Sequence, residues 1–341
     1  MRFLKSLIAL VLVLAVLAGG ALGYGWFWLQ GEVAKPGPIA HEVEFTIERG
    51  EGLASVANRL ETEGLVADQR ILRLKARLDD IESDIKAGSY VVPGRASVGD
   101  ILTQFVEGKV IEYRLTIPEG LTTAQILRRV EAASDLTGDL PGREFDEGVL
   151  LPDTYAFGAG TTRTQFLERM ETAQDALLEE IWDTRQDGLP ISTPYEAVIL
   201  ASVVEKETAS ADERPLVAGI FVGRMKKGMR LESDPTIIYG VSKGEPLYNR
   251  SGQRRTLYRS EINRKTDWNT YQIDGLPKTP ICNPGRDAIK AVLDPPQTNY
   301  VFFVADGKGG HLFAETYAEH KRNVAAYRAY ERGEITRERE N

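Results

Sequence analysis

The chain has 341 residues, of which 42% are hydrophobic and 27% charged, and carries a formal net charge of −8. That length supports one or two packed cores, and the acidic balance excludes both a nucleic-acid binder and a body held on anionic lipid by charge. The lone cysteine, Cys282, allows no internal disulfide. The histidines, His41, His311 and His320, are too scattered to make a metal site, so neither metal nor cofactor is expected.

The first element is an uncharged apolar run at residues 7–29, preceded by Arg2 and Lys5 and ending among Tyr24, Trp26 and Trp28. About 23 such residues cross a hydrocarbon core of ~30 Å and exceed the roughly 7–15 of a signal peptide's apolar segment. A retained transmembrane anchor is therefore expected over a cleaved signal, with the N-terminus inside and the body outside. A Gly/Pro linker occupies residues 31–40. Residues 43–47 alternate like a half-buried strand, and Gly50 and Gly52 turn the chain into a helix carrying Leu53, Val56, Ala57 and Leu60. A second helix spans 68–78, a strand returns at 88–93, and a third helix carries Val98, Ile101, Leu102 and Phe105. This predicts a compact α+β module over residues 41–111. Its strand-Gly-helix opening resembles LysM-like carbohydrate-binding modules, with a plain spacer as the alternative reading.

From Tyr113 the pattern echoes itself: a strand at 114–117, Gly120, then a helix with Ile126, Leu127 and Val130, as in a second unit of similar shape. Residues 137–148 read as an acidic, Gly-rich loop, 150–155 as a turn lining a later site, and 164–182 as a charged amphipathic helix covering the domain. The next helix is the most informative. Thr193 is a candidate N-cap, Pro194 suits the first helical position, and Glu196 completes a capping-box pattern. From Ala197 to Val204 only Ser202 is polar, so the helix has no solvated face and belongs inside a core. At about 100° per residue, Glu207 falls on the stripe of Leu200, Val203 and Val204, while Glu205 points with Val198 and Ala201. An apolar setting raises a carboxyl pKa toward that of a general acid. The alternative is a pair of solvated helix-end charges partnered by Lys206, Arg214 or Lys226.

A helix at 212–227 stops at Gly228. Three stretches dense in aromatic and turn-forming residues follow, at 231–240, 267–277 and 281–285. Aromatic faces beside Asn, Asp and Thr suit a sugar; alternatively these residues only make turns. Residues 300–305 form a buried-strand run leading into a hairpin with a Gly-rich tip before His311.

The segments 201–208, Glu213-Arg214, 229–231, 233–236, 238–240, 269–271, 275–277, 283–285 and 303–311 resemble, in order, the motifs of the YceG-like endolytic murein transglycosylases. Departures are Trp268, where tyrosine is expected, and Leu150-Leu151, where aromatic residues are common. The resemblance implies an α+β chain with three parts: a transmembrane anchor (7–29), a LysM-like module (41–111) and a mixed α+β catalytic domain (112–341). It implies a single-pass protein of the cytoplasmic membrane whose catalytic domain is extracytoplasmic. Its substrate would be peptidoglycan glycan strands, with peptidoglycan synthases as candidate partners.

By position, the family's catalytic glutamate falls on Glu207. The implied reaction cuts the MurNAc–GlcNAc β-1,4 bond of nascent strands, leaves 1,6-anhydro-MurNAc ends and terminates elongation. It is a lyase-type cleavage, so the second carboxylate that glycosidases need is dispensable. Asp234, Thr236, Tyr239, Asn269 and Tyr271 are candidates for orienting sugar and acid. His311 is a substrate-binding or hairpin-tip residue, and Glu205 a structural salt bridge. Two rivals stay open: a hydrolytic muramidase with Asp234 as second acid, and a non-enzymatic peptidoglycan-binding scaffold.

Overall fold

The computed structural model describes residues 2–48 and 50–332. Met1, Arg49 and residues 333–341, the end of the expected catalytic domain, lie outside the described residues. The chain divides into two compact units, Met1–Tyr113 with Ala156–Gly160, and Arg114–Tyr155 with Thr161–Asn341.

In the first unit, helix α1 (Arg2–Val33) contains a segment, Leu10–Val33, with mean hydropathy 2.0, long and apolar enough to cross a membrane. Large apolar side chains stand exposed along it, among them Val16 at 73% and Phe27 at 77%. The helix outruns the expected anchor and consumes the start of the expected linker, because Leu29 and Val33 are buried in this unit's core. Strand β1 (Val43–Ile47) pairs antiparallel with β2 (Gly88–Val92), placing Phe45 opposite Tyr90. Between them lie α2 (Leu53–Thr62) and α3 (Gln69–Leu78), the latter capped by Asp68. Helix α4 (Val98–Glu107) starts with a Ser97–Asp100 capping box and sends Ile101 and Phe105 inward. The strand, helix, helix, strand order follows the spacing of apolar residues.

Strands β3 (Glu112–Thr116) and β4 (Thr154–Gly158) form a two-stranded ribbon, with α5 (Thr123–Glu131) between them in the chain. The expected second unit of similar shape is not repeated in full, since a single helix separates these strands. Residues 137–148 are too rich in Gly and Asp to hold another. Leu150 and Leu151 are buried in the interior rather than exposed on a turn. Helix α6 (Arg163–Trp182) buries Phe166, Met170, Leu177 and Ile181 on one stripe, as its amphipathic spacing predicts.

The second unit is built around α7 (Pro194–Glu207), in which every residue from Ala197 to Val204 is buried. It packs against α8 (Arg214–Lys226) and α11 (Arg286–Leu293). Thr193 caps α7 by accepting from the Glu196 N–H at 3.2 Å. Glu196 does not close the expected box; its carboxylate accepts from the Ser192 N–H at 2.5 Å. Segment 231–240 is mostly helical rather than a turn, forming α9 (Asp234–Ser242) with Pro235 in its first turn, where its missing N–H costs nothing. A short α10 (Arg259–Ile262) precedes α11, whose Ala288, Ile289 and Val292 carry helical spacing that the turn-rich reading passed over. The hairpin of β5 (Phe302–Ala305) and β6 (His311–Ala314) pairs Ala305 with His311. Its first strand is half-buried rather than buried, and α12 (Tyr317–Glu331) follows.

Candidate active site

Ser202, the one polar residue in the middle of α7, is fully buried and satisfied. Its hydroxyl donates to the Ile199 carbonyl at 2.7 Å and accepts from the Ile281 N–H at 3.0 Å, tying the 281–285 segment to the helix. The two carboxylates at the C-terminal end then diverge, as the helical angle requires. Glu205 accepts from the Gly285 N–H at 3.0 Å and faces the buried Arg214 guanidinium at 3.6 Å. Arg214 also reaches Glu119 at 3.4 Å. Burial pushes Glu205 above the usual carboxylate range, the Gly285 N–H opposes that, and the Arg214 and Lys206 charges oppose it further. A Cβ at position 285 would lie 1.8 Å from Glu119 Oε1, so this approach is open only to glycine.

Glu207 is the last residue of α7 and half-buried; Thr208 after it is extended and breaks the helix sharply. Loss of solvent chiefly, with the Asp234 charge, raises the Glu207 pKa, while Ser233, His311 and the buried Arg224 draw it down, leaving it at about 7. The negative end of the helix dipole also disfavours the ionised form. The result is a carboxyl poised to give and take a proton near neutrality.

The backbone around Ser233 is densely hydrogen-bonded. Glu232 holds a left-handed backbone at φ 51°, an unusual conformation for a non-glycine residue. The Ser233 N–H donates to Thr270 Oγ1 at 2.9 Å, the Thr236 hydroxyl donates to the Ser233 carbonyl at 2.6 Å, and the Thr236 and Thr270 hydroxyls meet at 2.9 Å. Arg224 secures the same loop by donating to the Leu231 and Val301 carbonyls, each at 2.6 Å. Ser233 Oγ itself is buried with no well-formed hydrogen bond, leaving its donor beside the Glu207 carboxyl.

The sequence-predicted residues fall into two groups. Asp234, whose carboxylate accepts from the Tyr271 hydroxyl at 2.9 Å, stands with Tyr271 near Glu207, and both act on its charge environment or feel it. His311 belongs to this group as well. Its ring Nδ1 lies 2.7 Å from Glu213 Oε2 and its N–H donates to Glu213 Oε1 at 2.8 Å, while Thr208 donates to the same carboxylate at 3.3 Å. Burial pushes Glu213 up, but the bonds from His311 outweigh it and hold the carboxyl below its usual range.

Thr236 and Asn269 are scaffold instead. Thr236 is spent on the Ser233–Thr270 network. Fully buried Asn269 donates to the Ile262 and Arg264 carbonyls at 3.0 and 2.7 Å and accepts from the Tyr271 N–H. Tyr239 donates to Glu147 at 3.0 Å and packs edge-on against Trp268.

Glu147 is the residue that sequence reasoning missed. It accepts from the Thr123 N–H at 2.7 Å, the Thr123 hydroxyl at 3.0 Å and Asn283 Nδ2 at 3.1 Å, and burial raises its pKa. A signal existed: an acid followed by Gly148, where a Cβ would strike Pro280 Cγ at 2.7 Å and Val198 Cγ1 at 2.8 Å. Among the described residues, no group of three or more His, Cys, Asp and Glu side chains is placed to hold a metal ion.

The sequence model of the YceG-like family matches residues 45–326. The chain belongs to the YceG-like family. A relative from Streptococcus pneumoniae (strain D39), named an endolytic murein transglycosylase, is 28% identical over 94% of this chain and 64% of its own length. The chain thus spans just under two thirds of that relative. A Bacillus subtilis protein of the same name is 23% identical over 92% of this chain and 91% of its own. The 2.6 Å crystal structure of a yceG-like protein from Listeria monocytogenes aligns with 83% of this YceG-like chain and 99% of its own, at 24% identity and TM-score 0.48.

Proposed function

We propose that this YceG-like protein is a membrane-anchored endolytic lytic transglycosylase acting on peptidoglycan, with Glu207 as its single acid and base. The observation that carries the reading is the half-buried Glu207 at the end of a helix buried throughout from Ala197 to Val204, its pKa raised to about 7. Protonated, Glu207 gives its proton to the glycosidic oxygen as the MurNAc C1–O bond breaks and GlcNAc leaves with its 4-hydroxyl. The MurNAc C6 hydroxyl attacks C1, closing a 1,6-anhydro ring, and its proton passes to the Glu207 carboxylate. The acid is restored and no water is consumed.

The relatives' shared name and the apolar helix at Leu10–Val33 support a substrate in the cell wall and a tether in the cytoplasmic membrane. In this reading the N-terminus is inside, and residues 41–111 form a LysM-like strand-binding module ahead of a catalytic domain from 112. Asp234, Tyr271 and His311 line the approach to the acid, and synthases of nascent strands work beside it.

A hydrolytic muramidase is the second reading, favoured by the Asp234 charge acting on Glu207. Mass spectrometry of peptidoglycan digested by the full chain in detergent separates them. Anhydro-MurNAc ends are expected; reducing MurNAc ends overturn the transglycosylase assignment, and undigested strands favour a non-enzymatic scaffold.

A further inference from the structure

A cavity of about 270 Å³ is lined by Lys206 and Pro235 but not by Glu207, and plays no part in the proton transfer just described. It shares the last turn of α7 and the first turn of α9 with the Glu207 site, through Lys206 and Pro235. Its apolar lining is mostly aliphatic, with Pro235, Ile238, Leu247 and Ile281, and its one aromatic ring, Tyr239, packs against Trp268 with its hydroxyl given to Glu147, which suits small hydrocarbon side chains as well as a sugar ring.

The charges around it do not cancel. Arg255 is neutralised by a two-pronged pair with Glu261 at 2.7 Å for each arm, and Glu245 by Arg128. Among the described residues, Lys206 Nζ donates to the Gly120 carbonyl at 3.2 Å and closes no salt bridge, though its charge also acts on Glu205, and the exposed Arg254 guanidinium makes no ion pair. Two cations therefore border a mostly aliphatic cavity, one of them, Lys206, the chain neighbour of the acid.

We propose that this cavity receives the peptide stem carried by the muramoyl residue at the cleaved bond, with Lys206 and Arg254 binding its carboxylates. The inference rests on the peptidoglycan reading above. A glycan strand of N-acetylated sugars is neutral along its backbone and bears its carboxylates, with the methyl groups of its alanines, on the lactyl-linked peptides. An anionic, small-residue ligand tethered next to the scissile bond matches both the charge and the lining.

The test is calorimetric titration of the full chain in detergent with a soluble muramoyl tetrapeptide, which offers no glycosidic bond to cut. The same compound with amidated carboxyls and a neutral chitotriose serve as comparison ligands. The acidic muropeptide is expected to bind, with its Kd rising at least ~10-fold on amidation and by a similar factor in Lys206→Gln and Arg254→Gln. Both substitutions are at exposed side chains, and the amidated ligand tests the same charges without any substitution. Three results would overturn the proposal: no muropeptide binding, equal binding of the amidated form, or equal losses for chitotriose in the variants. Because binding needs no cleavage, failure here leaves the assignment of Glu207 standing, and failure of that assignment leaves this measurement interpretable.

Discussion

At the C-terminal end of α7, Glu205 turns to Arg214 and the Gly285 N–H, whereas Glu207, two residues on, turns to a hydroxyl and to charges that only graze it. Both carboxyls lose water, and burial lifts both pKa values. The difference lies in compensation. Glu205 is held by a buried guanidinium and a backbone donor, which fix it as part of the frame. Glu207 lacks such a partner, and its ionised form is left costly enough that the carboxyl is still about half protonated near neutrality. On one helix the same side chain becomes a strut or, in the proposed mechanism, a proton carrier according to the angle at which it leaves the axis.

The contrast breaks most visibly at Glu207 itself. Glu207→Gln keeps the size and most contacts of the side chain but has no proton to give, and strand cleavage is expected to fall ~10³-fold or more. Turnover near the normal rate, read from soluble fragments released over time, would move the chemistry elsewhere.

The opposite end is tested by Arg214→Met, which leaves Glu205 buried beside Glu119 with the Gly285 N–H and the Lys206 charge but no guanidinium. Removing one partner of a buried pair costs about 3 kcal/mol, measured as a drop in denaturation free energy at neutral pH. The sign with pH follows from the carboxyl. Without Arg214 its folded pKa rises further above the unfolded value, so the loss is full above the folded pKa and shrinks as Glu205 takes up a proton in acid. A loss independent of pH would point to packing alone.

A smaller effect sharpens the Glu207 side. The Ser233 hydroxyl draws the Glu207 pKa down. Ser233→Ala is therefore expected to move the alkaline limb of the activity profile upward by ~0.5–1 pH unit, with stability little changed. An unmoved limb would show that Ser233 does not act on the acid.

Much of this contrast was legible in the sequence. The unbroken run from Ala197 to Val204 can only be a buried helix, and helical geometry alone separates Glu205 from Glu207. The strands and helices of the first unit follow from apolar spacing in the same way. What spacing misses is set by partners far along the chain. Glu147 reads as one more acid in a polar loop until Thr123, Tyr239 and Asn283 close around it. Thr236 and Asn269 look like sugar ligands because polar residues among aromatics are ambiguous; only the carbonyls and hydroxyls that surround them assign them to the frame. Helix α9 was hidden by Asp234-Pro235, a pair that starts turns and helices alike.

The most direct test of the lone sheltered acid is the pH dependence of single-turnover strand cleavage by the unmodified protein. If one carboxyl must be protonated with a pKa of about 7, the rate stays level on the acid side of neutrality. It should then fall about tenfold per pH unit above that value. A rate that already declines from an ordinary carboxylate pKa near 4.5, or stays flat through neutrality, would contradict the account.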